Sequence, residues 1–447
     1  MKEQSKRLGI EPIPKIMTNL AVPATIGMLV MSLHSVIDMI YISRGVGTIG
    51  VAAITISFPH SMILMALNAA IGIGGGSYIS RALGAAQVDK ANRALGNIIT
   101  LIFIIGVVMA ALGLTLLEPM LKLFGASETI LPYSAQYLGI ILYGTIFFSF
   151  FFTMNNIVRA EGNASLAMST MIISSVLNII FTPFFLFTLN LGIRGAAYGT
   201  VLAQSATAFY LFYYFYSGKS TLSLNFRFLS LKPPIIKDML SVGFSAFIRQ
   251  GSGSIMLIIA NNLLVYYGGD IAVAVLGIIH RVMMFTLMPI LGVVQGMLPL
   301  VGFNHGARQP ERVSETIILA LKVATLISIF AFLLVMIAPG LIFSIFTVDT
   351  ALIKLGIPAL RIIFALSFTV GLQMVTGGVF QALGKAKAAI ILSLSRTVLF
   401  LIPAMLILPL FIDLQGVWFA FPVADFFSVI LTLWLIKRYQ RYFSLVR

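Results

Sequence analysis

Residues 84–90 read Gly84-Ala85-Ala86-Gln87-Val88-Asp89-Lys90, and residues 306–312 read Gly306-Ala307-Arg308-Gln309-Pro310-Glu311-Arg312. The two stretches lie 222 residues apart and keep glycine, glutamine, acid and base in the same order. Working outward at that offset without a gap, Gly47 falls on Gly269, Val51-Ala52 on Val273-Ala274, Phe124 on Phe346 and Gly162 on Gly384. The chain is therefore a tandem duplication, whose register drifts by a residue or two beyond residue 190.

Each copy is a series of apolar runs between Gly, Pro and charged breaks. Twelve runs emerge, at 15–42, 50–80, 95–117, 131–157, 164–189, 195–217, 239–267, 271–302, 314–338, 352–379, 388–410 and 415–436. Each is long enough to cross roughly 30 Å of hydrocarbon as a helix. With 59% of the 447 residues hydrophobic and only 10% charged, lipid is the solvent and no soluble domain fits between the runs. The pattern predicts an all-α membrane protein of twelve transmembrane helices. Six spans per copy is an even number, so both copies enter the membrane in the same direction. That makes a parallel repeat about a pseudo-two-fold axis along the membrane normal, and such proteins carry substrate between their lobes. The expected organisation is an N-terminal lobe at 1–217, a cytoplasmic linker at 218–238 holding Pro233-Pro234, and a C-terminal lobe at 239–447.

A net charge of +15 would point to nucleic acid on a soluble chain, but placement decides otherwise. Of the 29 Lys and Arg residues, twenty lie on one side of the spans, from Lys2, Lys6 and Arg7 through Arg81, Arg159, Lys232 and Arg308 to Arg438, Arg441 and Arg447. Four lie on the other side, Arg44, Lys122, Arg194 and Lys354, and five fall inside spans, Arg249, Arg281, Lys322, Arg361 and Arg396. The positive-inside rule then puts both termini in the cytoplasm of a multi-pass protein of the cytoplasmic (inner) membrane. No small-residue cleavage site follows the first apolar run, which argues against a removable signal peptide. Without cysteine, disulfides and thiolate chemistry are excluded.

Ionised side chains are expensive in hydrocarbon, so those inside spans invite a functional reading. Of 14 acids only Asp38 and Asp425 sit deep in spans. Asp38, in the first span, shares a helix face with His34 one turn earlier and with Tyr41, both candidate proton partners. Its repeat counterpart is Ala260. A structural acid would be expected in both copies, whereas a lone one suggests a task given to the N-terminal lobe. In the fifth span Asn178 and Thr182 lie four residues apart, and in the sixth Thr200 and Gln204 do the same. With Asp38 these could line a hydrated cavity, ligate Na⁺ through Asp38, Asn178 and Thr200, or serve simply to hold helices together. Asp425 has Arg249, Arg281 and Arg396 as candidate ion-pair partners.

Other motifs carry less. His60, His280 and His305 are not at metal-ligand spacing, and no resident metal or cofactor is expected. The run Gly72-Ile73-Gly74-Gly75-Gly76-Ser77 sits inside an apolar span with no GK[ST] after it, so it reads as close helix packing and not as a phosphate cradle. With no nucleotide-hydrolysing motif and no nucleophile–base constellation, the chain reads as no enzyme, and an ion gradient must drive any transport.

These residues resemble the multidrug and toxic compound extrusion (MATE) transporters of the bacterial multidrug-efflux type. The resemblance runs the full length. It rests on Asp38, Gly84-Ala85, Arg159-Ala160-Glu161-Gly162-Asn163, Asn178 followed by Pro183, Gly195-Ala196-Ala197, Gly306-Ala307 and Gln381-Ala382-Leu383-Gly384. It implies a V-shaped twelve-helix monomer that works by alternating access and exports cationic or amphiphilic compounds in exchange for H⁺ or Na⁺. It also implies a coupling-cation site in the N-terminal lobe at Asp38, Asn155, Asn178 and Thr200. Two departures matter. Many relatives carry a second acid one turn after the fifth-span Asn, where this chain has Thr182, and that favours a proton over Na⁺. Arg249-Gln250 stands near where some relatives carry an acid, which argues against an ion site in the C-terminal lobe.

The leading expectation is thus a cation-coupled antiporter of small amphiphilic molecules, in contact with membrane lipids and not with nucleic acid. The alternative is a lipid or lipid-linked oligosaccharide flippase, in which Arg249, Arg281 and Arg396 would hold a phosphate head group.

Overall fold

The computed structural model describes residues 3–347 and 349–443, and Lys2 and Arg447 of the charge asymmetry lie outside them. Among the described residues nine helices are long and apolar enough to cross a bilayer. One of them, Pro233–Gly306, turns at Gly269, whose φ of 66° and ψ of −169° no helix can hold, so it is two spans, 233–268 and 270–306. The pair Leu131–Tyr143 and Thr145–Ala160 is a further span, bent by 58° at Gly144. Ile193–Tyr216, 24 residues long, completes the twelve. In chain order the spans are Ile13–Gly45, Thr48–Gly84, Val88–Thr115, the bent pair, Ala164–Thr188, Ile193–Tyr216, 233–268, 270–306, Pro310–Ile337, Thr350–Ala382, Ala386–Ile407 and Pro409–Arg438. The last turns at Ile412 and Asp413 before settling into a regular helix. The helices overrun the apolar runs because polar first and last turns remain helical once they leave the lipid. The seventh span starts at Pro233, so residues 233–238, expected to close the linker, are already helical.

The duplication is written in the backbone. Gly47 and Gly269 both have positive φ, 83° and 66°, as do Gly162 and Gly384, 93° and 70°. The decisive pair is Ala86 and Arg308, neither of them glycine, each at φ 57° and 222 residues apart. Both close the same helix cap. Gln87 N–H reaches back to Ala82 O and Ala86 N–H to Leu83 O, while Gln309 N–H reaches Asn304 O and Arg308 N–H reaches His305 O. The expected drift also shows, since Gly192 at φ 56° answers to Asp413 at φ 48°, one residue short of the offset.

The lobes meet around the two-fold axis through small residues. A side chain at Gly84 would strike the Phe303 carbonyl, and one at Gly306 would strike the Arg81 carbonyl, two contacts exchanged by the repeat. Gly74 lies against the Met239 carbonyl and Gly243 against the Ala70 carbonyl, and their repeat counterparts Gly296 and Ala21 meet in turn. The seam is tied by Ser77 Oγ to Gln381 O at 2.5 Å and by Arg81 to Asp238 at 3.5 Å. All of this sits at the end carrying the basic loops. Toward the opposite end, hydrogen-bonded contact between lobes among the described residues reaches no further than Ser32 Oγ to Met288 Sδ, 3.5 Å, and the molecule opens as a V.

The N-terminal helix Glu3–Ile10 spans the closed end. Ser5 donates to Glu161 O, while Asn304 and Arg312 from the other lobe donate to Leu8 O. The linker is fastened to the N-terminal lobe, through Ser220 and Thr221 to the Glu161 carboxylate and through Lys232 N–H to Asn97.

Candidate functional site

The first and fifth spans run together because glycines let them. Gly27 is met by Met171 and Gly45 by Leu186, which brings Asp38 level with the Asn178–Thr182 turn. Gly199 in the sixth span admits Thr182 in the same manner. Three helices from one lobe thereby surround a single carboxylate.

The polar groups around it are committed to one another. The Thr182 hydroxyl lies beside the Asp38 carboxylate but donates to Asn178 Oδ1 at 3.1 Å. Asn178 Nδ2 donates to Thr200 Oγ1 at 3.0 Å, and the Thr200 hydroxyl ends the chain on Ala196 O at 3.0 Å. Thr182 and Asn178 are buried. None of these bonds is made to Asp38 Oδ1, which is buried with no hydrogen-bond partner; His34 Nε2, one turn earlier, is in the same condition. None of the ion pairs among the described residues reaches Asp38. The arrangement is a negative group without a fixed counter-charge, ringed by acceptor oxygens and one imidazole. It can be neutralised by a proton or by a small cation.

The structure separates Asn155 from this group, a correction to the expected site. Asn155 Nδ2 donates to Ala167 O and to Thr170 Oγ1, both at 2.8 Å, and its Oδ1 accepts from Arg159. Thr170 precedes Asn178 by eight residues on one helix, a rise of roughly 12 Å. Tyr41 packs its ring edge-on to Phe187 at 6.4 Å and makes no side-chain hydrogen bond among the described residues. Gln204, one turn beyond Thr200, makes no side-chain hydrogen bond among the described residues, and the same holds for Arg249 and Gln250 in the seventh span.

Sequence reasoning missed Tyr137. It lies in the outer half of the fourth span, close enough to feel the Asp38 charge. The run holds Tyr133 and Tyr143 as well, so the sequence did not single Tyr137 out.

In the other lobe, Ala260, the repeat counterpart of Asp38, is fully buried in apolar packing. Asp425 is 1% exposed and takes Arg396 as its partner, out of the three arginines considered, with Nε to Oδ1 at 2.6 Å and Nη2 to Oδ2 at 3.5 Å. Among the described residues no group of three or more His, Cys, Asp or Glu could hold a metal.

A duplicated twelve-helix bundle, closed at one end and open at the other, is the architecture of a membrane transporter. Known proteins agree. The family model for MatE matches residues 23–184 and 246–406, and the chain belongs to the MatE family, whose members are transporters and not enzymes. It is 26% identical over 422 residues to the multidrug export protein MepA of Staphylococcus haemolyticus, covering 94% of this chain and 93% of that one. It superposes on the solved MATE multidrug transporter DinF-BH with a TM-score of 0.92 at 48% identity, and on a MATE in the bent conformation with 0.93 at 28%. These cover 99% of this chain, and 99% and 98% of theirs.

Proposed function

We propose that this protein is a secondary active multidrug exporter of the inner membrane, both termini cytoplasmic, which antiports cationic or amphiphilic organic compounds against H⁺ through Asp38. The single observation that supports this is the buried Asp38 Oδ1, which has no hydrogen bond and, among the described residues, no lysine or arginine paired with it. In its charged form the group needs water or an ion beside it. Once neutralised by a proton it no longer does, and the first span is free to pack more closely on the fifth and sixth. Coupling follows if the two packings favour different openings of the V.

Na⁺ is the weaker candidate. Asp38, Asn178 and Thr200 offer oxygens, but the Asn178 amide already accepts from Thr182, and Thr200 both accepts from Asn178 and donates to Ala196. One carboxylate is a thin charge for holding a hard cation.

Purified protein reconstituted in liposomes, given H⁺ and Na⁺ gradients separately, tests the reading. Asp38→Asn should insert normally and lose gradient-driven export, and export at the wild-type rate from that variant would refute the assignment. Export driven by Na⁺ with the pH gradient collapsed would assign the other ion.

The flippase reading keeps the half-buried Arg249, which pairs with no acid among the described residues. Arg396, by contrast, is already engaged by Asp425. Lipid flipping lost in Arg249→Ala, with no competition from drugs, would favour it.

A further inference from the structure

Arg159 is 7% exposed and pairs with no carboxylate among the described residues. Its guanidinium donates from Nη2 to Asn155 Oδ1 and to Met171 Sδ, a weak acceptor, while Nε is buried with no partner at all. The nearest acid in sequence, Glu161, is turned elsewhere and accepts from Tyr214, Ser220 and Thr221. A buried positive charge left without a counter-charge calls for explanation, because such groups are normally paired or ligated.

Arg159 lines a cavity of about 20 Å³ at the seam between the lobes, whose walls come from the second, fourth and eighth spans. Most polar groups there have their donors committed. Ser77 donates to Gln381 O, Ser80 to Ser77 O, and Asn156 to Phe152 O. The exception is Gln295, which enters from the opposite lobe and makes no side-chain hydrogen bond among the described residues. Unspent donors from both lobes therefore meet in a space that holds one water-sized species.

We propose that this cavity is a binding site for a small monovalent inorganic anion, chloride in its physiological form, held between Arg159 and Gln295. The tight space favours a small ion over a lipid head group, and the absence of a carboxylate from the lining leaves the ion as the counter-charge. Because one donor comes from each lobe, the site exists only while the lobes are closed at this end. It lies outside the Asp38 cluster and goes beyond the coupling assignment.

Equilibrium binding of radioactive chloride to the purified protein, prepared in gluconate, tests this. The wild type should show one saturable site per chain. Arg159→Gln should weaken it at least tenfold, Gln295→Leu severalfold, and Asp38→Asn not at all. If Arg159→Gln fails to fold, Gln295→Leu decides, since it leaves the arginine and its packing untouched. Absence of saturable chloride binding in the wild type, or unchanged binding in Gln295→Leu, would overturn the proposal. Displacement of the label by equimolar inorganic phosphate would overturn the assignment to a small monovalent ion.

Discussion

Arg396 holds Asp425 in a two-point grip, Nε on Oδ1 at 2.6 Å and Nη2 on Oδ2 at 3.5 Å, with the carboxylate 1% exposed. The two deep acids of the chain are thus in opposite situations, one fixed by a permanent counter-charge and the other left open. Removing one member of a buried pair strands the other, at about 3–5 kcal/mol, whereas replacing both with apolar groups of similar volume is near neutral. Asp425→Ala should therefore lower the apparent Tm in detergent sharply, and the double variant Asp425→Leu with Arg396→Met should restore most of it. Proton-driven export should survive in the double variant. Its loss there, with Tm intact, would give the pair a part in coupling.

The difference between these two acids was only half legible in the sequence. Lipid enforces long apolar runs, so the spans could be read, and the 222-residue offset found the loops whose residues Ala86 and Arg308 share one unusual backbone conformation. Asp38, Asn178, Thr182 and Thr200 could be gathered because each lies a helical turn from another polar group. Which of three arginines would meet Asp425 could not be read, since that depends on how spans from distant parts of the chain are rotated. Asn155 was misplaced for a related reason. A position on a helix fixes depth only when the neighbouring helix's height is known, and Asn155 proved level with Thr170, not with Asn178.

Thr182 occupies the position that decides which ion the site prefers. Its hydroxyl lies beside Asp38 and donates to Asn178. Thr182→Asp would place a second carboxylate there and supply the extra charge that a hard cation needs. Export by this variant should become stimulated by Na⁺, where the wild type responds to the pH gradient. Thr182→Val should keep proton coupling with a shifted pH dependence, and Na⁺ stimulation of the wild type equal to that of Thr182→Asp would overturn this.

Glu161 makes the closed end sensitive to pH. It lies beyond the fourth span, fully buried, and burial pushes its carboxyl from the ordinary 4.5 up to about 6 against the opposing hydrogen bonds of Ser220 and Tyr214. Between those values the folded protein binds more protons than the unfolded chain, so stability rises as pH falls. The ionised form above pH 6 carries a penalty of roughly 2 kcal/mol, relieved progressively between about 6 and 4.5. The difference in apparent Tm between wild type and Glu161→Gln should thus move in favour of the wild type from pH 7 to pH 5. A flat difference would remove Glu161 as the titrating group.

The two-fold seam makes a prediction in which each half controls for the other. Gly84 abuts the Phe303 carbonyl and Gly306 abuts the Arg81 carbonyl, and in both cases the obstacle is backbone, which cannot rotate aside as a side chain can. Gly84→Ala and Gly306→Ala should each force the lobes apart at the closed end and reduce occupancy of the V form. Since the chain has no native cysteine, spin labels can be attached at Gln87→Cys and Arg308→Cys, both exposed and on opposite lobes. Pulsed electron resonance should show the label separation lengthening in both alanine variants by similar amounts, because the repeat exchanges one contact for the other. A shift in only one would mean that the two contacts are not mechanically equivalent, despite matching helix caps. No shift in either would mean that the seam yields locally, and that the lobes do not move there as rigid bodies.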